Sequence, residues 1–281
     1  MKRFKKLLSV CLLAALPIAG CTTHGLFIDK SHHAQGQSQR IEYLVLHYTA
    51  ENDANSLAVL TQGEVSSHYL ISSGDTVRVY QLVDDDKKAW HAGVSHFRGK
   101  SSLNDISIGI EIVNDGVASA YRGHRGYLPN QAYVAYGDEQ IRQLAKLLRS
   151  LSDKYDIAPE NIVGHSDIAP SRKIDPGAKF PWEYLYRNYG IGAWYDETDK
   201  ADFLDKLTDA DLDTANVPSI KAQLRHYGYQ INDNGEWDKA SQDVVYAFQL
   251  HFRPDNPTGV MDAETLAILQ ALNKKYRPSA N

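Results

Sequence analysis

Three residues spread along the chain, His47, His165 and Asp175, are of the types that hold a metal ion. Each alone carries little, because a single histidine at the end of a strand is more often structural than a ligand. Their settings make them a set. His47 closes the apolar run IEYLVLHY and His165 closes NIVGH, so both stand where an α/β sheet presents side chains to a crevice. Two neutral imidazoles and one carboxylate, with Asp175 of SRKIDPG as the third donor, leave a fourth zinc position open to water. That is the catalytic arrangement, since a structural zinc site closes all four positions.

A fourth residue stands out for a different reason. In SIGIEIV, residues 107 to 113, Ile108, Ile110 and Ile112 form one apolar face of a strand, and Ser107, Gly109, Glu111 and Val113 form the other. A carboxylate in the middle of such a strand is costly unless it is paired or used. Pairing with Arg or Lys would make Glu111 half of a buried salt bridge. Use would make it a proton shuttle with a raised pKa beside the metal, with small residues on its face where substrate or water approaches. The strand by itself leaves both readings open.

The elements that must position these side chains follow from the hydrophobic pattern. IEYLVLHY, SIGIEIV and the short NIVGH are strand-like, and SHYLI and VRVYQLV form a pair joined around SSGD. DEQIRQLAKLLRSLSDKY predicts an amphipathic helix with Asp138 as N-cap and Ile141, Leu144, Leu148 and Leu151 on its apolar stripe. Strands interleaved with helices predict an α/β domain, a central mixed β-sheet flanked by helices, over residues 41–195. The acidic stretch DETDKADFLDKLTDADLD then marks a connecting segment, 196–212, in which Phe203, Leu204 and Leu207 imply a packed helix. From 213 to 278, three short helical patterns separated by the turns NDNGEWD and RPDNPTGVMD predict a small all-α domain. Helices this short are marginal alone and must share a core, for which Leu224, Tyr229, Val245, Phe248 and Leu266 are the expected residues.

The first twenty residues differ in kind. Lys2, Arg3, Lys5 and Lys6 lead into an apolar run from Leu7 to Ala19, too short to span a bilayer and laid out like a secretory signal. Ile18-Ala19-Gly20-Cys21 resembles a bacterial lipobox, which implies a lipid anchor on Cys21. Cys11 is the only other cysteine and lies in the segment to be removed, so no disulfide and no thiolate zinc site is expected. Thr22 follows the anchor where, in lipoproteins of Gram-negative type, an Asp would favour inner-membrane retention, so the same resemblance implies an outer membrane lipoprotein facing the periplasm. Residues 21–40 read as a polar tether, with His32 and His33 as solvated linker histidines. Removing the four basic residues of the leader leaves 26 Lys and Arg against 35 Asp and Glu, about −9, which makes nucleic acid an unexpected partner.

LVLHYTA, SSHYLI, KKAWHAGVS, LNDISIGIEIVN and IVGHSDIAPSRKIDPG, in this order, resemble the type 2 N-acetylmuramoyl-L-alanine amidases, the family that includes the peptidoglycan recognition proteins. The resemblance implies one Zn2+ per chain on His47, His165 and Asp175, with Glu111 as general base and acid and Lys173 stabilising the developing oxyanion. It further implies hydrolysis of the amide between N-acetylmuramic or anhydromuramic acid and L-alanine. Trp90, His91 and Asn104 are expected to line the substrate groove. Two departures stand out: phage-type members have a Tyr where this chain has Ser67, and a Cys ligand where it has Asp175. Glu111 is then expected to carry more of the mechanism, without help from a Tyr.

IKAQLRHYGY, NGEWDKASQDVVYAFQLHF and GVMDAET resemble the three-helix peptidoglycan-binding domain, which implies peptidoglycan and muropeptides as partners. A helical cap that only stabilises the enzyme is the alternative. Against the hydrolase stands a non-catalytic peptidoglycan-binding or tethering lipoprotein, a class expected to lack a metal ligand or the acid/base carboxylate.

Overall fold

The computed structural model describes Leu26 and residues 28–278. The expected signal segment 1–20 and the lipidation position Cys21 lie outside the described residues. Residues 28–38, with His32 and His33, are exposed and form no helix or strand. Residues 39–278 pack as one compact unit.

Its first part runs β1 (Tyr43–Tyr48), α1 (Asp53–Gln62), β2 (Tyr69–Ile71), β3 (Val79–Gln81), a small hairpin of β4 (His96–Phe97) and β5 (Lys100–Ser101), then β6 (Ser107–Ile112), α2 (Asp138–Tyr155), β7 (Ile162–Gly164), α3 (His165–Ile168) and α4 (Trp182–Tyr189). The main sheet has the order β3-β2-β6-β1-β7. β2, β6, β1 and β7 are parallel, and β3 pairs antiparallel with β2. This is the mixed sheet flanked by helices that the pattern predicts. β1 and β6 are its central strands, covered on both faces, which explains why they read as near-continuous apolar runs.

The stripe of α2, Ile141, Leu144, Leu148 and Leu151, is buried in the same core as Leu44, Leu46, Ile108 and Ile110. The cap is one residue earlier than expected. Gly137 is the N-cap, its N–H donating to Gln140 Oε1 at 3.0 Å, and Asp138 is the first helical residue. Gln140 Nε2 donates to Ser72 O and Val113 O, which ties the start of the helix to the sheet. The sequence pattern did not foretell α1, because only Ser56 and Leu60 of it are buried, too thin a stripe to show as periodicity.

The remaining helices are α5 (Glu197–Leu204), α6 (Val217–Tyr227), α7 (Lys239–Phe252) and α8 (Ala263–Tyr276). Leu224, Tyr229, Val245, Phe248 and Leu266 are all buried. α5 packs on α8, with Phe203 and Leu207 against the core and Leu204 exposed. These helices do not form a separate ball. Tyr229 packs edge-on to Phe97 of β4 at 5.4 Å, and His251 of α7 stacks on Trp182 of α4 at 3.8 Å. Tyr246 hydrogen-bonds both backbone groups of Leu128 and the Tyr133 hydroxyl. Among the described residues no helix is long and apolar enough to cross a membrane.

Candidate active site

The register of the sheet brings the distant residues together. His47 lies opposite Glu111 on the neighbouring parallel strand, so both side chains leave the sheet on one face near the strands' C-terminal ends. On the other side of β1, Leu46 lies opposite Gly164, which sets His165, the next residue, beside His47. Asp175 arrives on the loop after α3. Its carbonyl accepts from Ser166 N–H at 2.9 Å, and Pro176 packs so closely on Gly164 that a Cβ there would stand 2.6 Å from the proline Cδ.

The three candidate ligands converge. His47 Nδ1 is 2.9 Å from His165 Nδ1 and 3.0 Å from Asp175 Oδ2, and His165 Nδ1 is 3.1 Å from the same oxygen. All three residues are buried. Donors held 2.0–2.1 Å from a tetrahedral ion stand about 3.3 Å apart, so this triangle has the size of a metal site. The donor chemistry fits as well. His165 Nε2 faces Ala92 O at 3.1 Å, a group that can only accept. With Nε2 turned to that carbonyl, His165 keeps Nδ1 facing Asp175 Oδ2 and His47 Nδ1, and two imidazole nitrogens with one carboxylate oxygen are a donor set that suits a divalent cation.

Burial, reinforced by the His165 imidazole, pushes His47 down to about 4, so it is neutral near pH 7 and able to ligate. Burial pushes the Asp175 carboxyl up, but the imidazoles of His165 and His47 outweigh it and hold Asp175 well below the ordinary carboxylate range. Glu111 goes the other way. Burial and the nearby Asp175 carboxylate raise it well above the ordinary range, opposed by the Lys173 ammonium. Glu111 Oε2 is buried without a hydrogen-bond partner, so the strand carboxylate is not spent in a salt bridge through that oxygen. Glu111 and Lys173 line the same cleft of about 400 Å³ as the three candidate ligands.

The three expected groove residues separate. Trp90, 55% exposed with the Lys88 ammonium 4.4 Å from its ring, stands at the rim of the cleft. His91 lies in the cleft's buried wall behind His47, its Nδ1 3.1 Å from His47 Nε2. Burial, with His47, His68 and His165 around it, holds His91 well below the ordinary histidine range. Asn104 is not among the residues lining the cleft. It is buried, and its Oδ1 accepts from the backbone N–H groups of His91 and Ala92 at 3.1 and 2.8 Å. The small residues Ser107 and Gly109 leave room for the His91 ring, where the strand pattern suggested an approach for substrate. Ser67 is fully buried with its hydroxyl unpartnered and lies outside the cleft.

Asp167 escapes sequence reasoning altogether. It is 1% exposed, accepts from Gly164 N–H at 2.7 Å at the start of α3, and takes hydrogen bonds from Tyr229 Oη and His251 Nδ1 of the C-terminal helices. An acidic residue two positions after a candidate ligand gives no signal in the sequence that its partners lie more than sixty residues away.

A neutral imidazole and an ionised carboxylate facing one point, with a high-pKa acid beside them at the ends of parallel strands, are what a metallohydrolase requires. Comparison with known proteins narrows that class. A family profile described as N-acetylmuramoyl-L-alanine amidase matches residues 37–178, and one for a peptidoglycan binding domain matches residues 213–269. The chain belongs to the N-acetylmuramoyl-L-alanine amidase family and is an amidase of that kind. It is 39% identical to N-acetylmuramoyl-L-alanine amidase AmiD of Escherichia coli, over 98% of this chain and 99% of AmiD. It is 42% identical to the E. coli 1,6-anhydro-N-acetylmuramyl-L-alanine amidase AmpD, over 42% of this chain and 55% of AmpD. The solved complex of E. coli AmiD with anhydro-N-acetylmuramic acid-L-Ala-D-gamma-Glu-L-Lys superposes with a TM-score of 0.78, covering 91% of this chain and 97% of that one. AmpDh3 from Pseudomonas aeruginosa, bound to anhydromuramic pentapeptide, is 38% identical with a TM-score of 0.78, covering 89% of this chain and 99% of its own.

Proposed function

We propose that the metal is zinc, held by His47, His165 and Asp175, and that the chain cleaves the amide between muramic acid and L-alanine in peptidoglycan and in soluble muropeptides. Anhydromuramyl substrates are included, for cell-wall turnover or recycling. The observation that carries this is the triangle of two imidazole nitrogens and one carboxylate oxygen, with the buried, unpartnered Oε2 of Glu111 on the adjoining strand. Three ligands of this kind leave one zinc position for chemistry. The anhydromuramyl ligands named in the complexes of AmiD and AmpDh3 support the substrate class.

Bound there, zinc supplies Lewis acidity, lowering the pKa of water towards neutrality and polarising the scissile carbonyl. Glu111 takes the proton of the attacking water and hands it to the departing L-alanine amine. Its raised pKa suits both duties, since the same group must accept and then release a proton near neutral pH. The Lys173 ammonium, on the same cleft, stabilises negative charge growing on the carbonyl oxygen. Trp90 at the rim offers an apolar face to the sugar.

We further propose that the mature chain is an outer membrane lipoprotein anchored through Cys21 and facing the periplasm, with residues 21–40 as tether and the segment 213–278 engaging the wall. The lipobox-like Ile18-Ala19-Gly20-Cys21 and the exposed, irregular residues 28–38 support this. A digest of purified wall and of soluble anhydromuropeptides, with and without chelator, tests the activity by mass spectrometry. The expected products are intact stem peptides with a free L-alanine amine, formed only without chelator. Cleavage inside the peptide, or cleavage indifferent to chelator, overturns the proposal.

A further inference from the structure

Metal-binding imidazoles need one ring nitrogen bare and the other protonated, and the group that accepts from the second nitrogen decides which is which. For His165 that group is the Ala92 carbonyl. For His47 it is another histidine, and its polarity has to be traced further. Ser107 Oγ is 2.6 Å from Leu103 O, which can only accept, so the one hydroxyl proton points there. Ser107 Oγ is then left to accept from His91 Nε2–H at 3.1 Å. A neutral His91 with its proton on Nε2 presents a bare Nδ1, and His47 Nε2–H donates to it at 3.1 Å. His47 Nδ1 is thereby the bare nitrogen, turned towards His165 and Asp175.

The chain of bonds is shielded and rigid. His47, His91 and Ser107 are all buried. The backbone of His91 and Ala92 is pinned by the one side-chain oxygen of Asn104, so a single short segment carries the acceptors for both imidazoles. Gly109 lies directly under the His91 ring, where a Cβ would stand 2.3 Å from Cγ. His68 packs edge-on to His91 at 5.8 Å, but its own Nδ1 accepts from Gly109 N–H and its Nε2 faces Lys87 O, so it takes no part in the chain.

We infer that His91 is a positioning residue: relayed from Leu103 O through Ser107, it fixes His47 in the tautomer whose Nδ1 binds the metal. The inference rests on the zinc amidase proposed above. Its test is the affinity of the full mature chain for Zn2+, measured by competition with a chromophoric chelator, together with the visible spectrum of the Co2+-loaded protein. His91→Ala is expected to weaken Zn2+ binding by about 10- to 100-fold and to change the Co2+ spectrum. His91→Asn keeps an acceptor oxygen near the place of Nδ1 and is expected to stay within about threefold of the parent, whereas His91→Gln, whose amide reaches the Nε2 position instead, falls with the alanine variant. Parent-like Zn2+ affinity and spectrum in His91→Ala overturn the inference and leave the amidase standing. A parent chain that binds no Zn2+ overturns both. If His91→Ala does not fold, equal affinities in the Asn and Gln variants overturn the inference in its place.

Discussion

Asp167→Ala tests whether the C-terminal helices are built into the catalytic domain. The Asp167 carboxylate is 1% exposed and holds three donors, the Gly164 N–H, Tyr229 Oη and His251 Nδ1. Alanine leaves all three buried without an acceptor. Each orphaned donor costs about 1–3 kcal/mol, and relaxation around the cavity shares part of the loss. Breaking a buried polar cluster by removing one member costs about 3–5 kcal/mol, which we take for the whole. Against a total stability of about 5–15 kcal/mol, that is a large fraction. For a chain of this size it lowers Tm by roughly 6–20 °C, at about 2–4 °C per kcal/mol. Tyr229→Phe removes only one of the three bonds and should cost about 1 kcal/mol. Because Asp167 also caps the helix that begins with His165, Zn2+ affinity should fall along with stability. The assay is thermal unfolding followed by circular dichroism, with chelator competition on the folded protein. An Asp167→Ala chain that melts within about 2 °C of the parent would refute the claim that this carboxylate joins the two parts.

Glu111→Gln should lower kcat/KM by about 10²- to 10⁴-fold while Zn2+ content, read by metal analysis, stays at the parent level. Because the Glu111 carboxyl is raised, its basic form is lost as pH falls through a value above the ordinary ~4.3, so the acidic limb of the parent's pH–rate profile should lie above that value. A limb at the ordinary carboxylate value would remove Glu111 from the role. Gly109→Ala places a Cβ 2.3 Å from His91 Cγ and 2.5 Å from Cδ2, which forces the ring to shift by about 1 Å to reach ordinary contact. The expected cost is about 1–3 kcal/mol in urea unfolding, with weaker Zn2+ binding although no donor has changed. Parent-like values in both measurements would show that the His91 ring can move without consequence.

The sequence by itself determined the elements with strong periodicity and marked the residue types of the candidate site. IEYLVLHY and SIGIEIV, rich in β-branched and apolar residues, read as strands, and the stripe from Ile141 to Leu151 read as a helix covering a core, while the central place of both strands in the sheet came from the fold. His47, Glu111, His165 and Asp175 were distinctive as residue types at strand ends, in a strand interior and in a loop, because hydrophobic burial makes a polar residue in such places expensive. The thin stripe of α1 and the glycine cap of α2 were not legible, since neither alters the local pattern enough to show. Only the tertiary structure decided what stands behind the site. His91 and Asn104 were both expected in the groove, and folding kept His91 in the cleft wall, bonded to His47, while it made Asn104 a backbone clamp outside the cleft. Asp167 received its partners from helices that follow it by more than sixty residues. The physical reason is range: burial preference is written at each position, but a hydrogen-bond partner is chosen by which elements the packing brings within about 3 Å, and local sequence does not encode that choice.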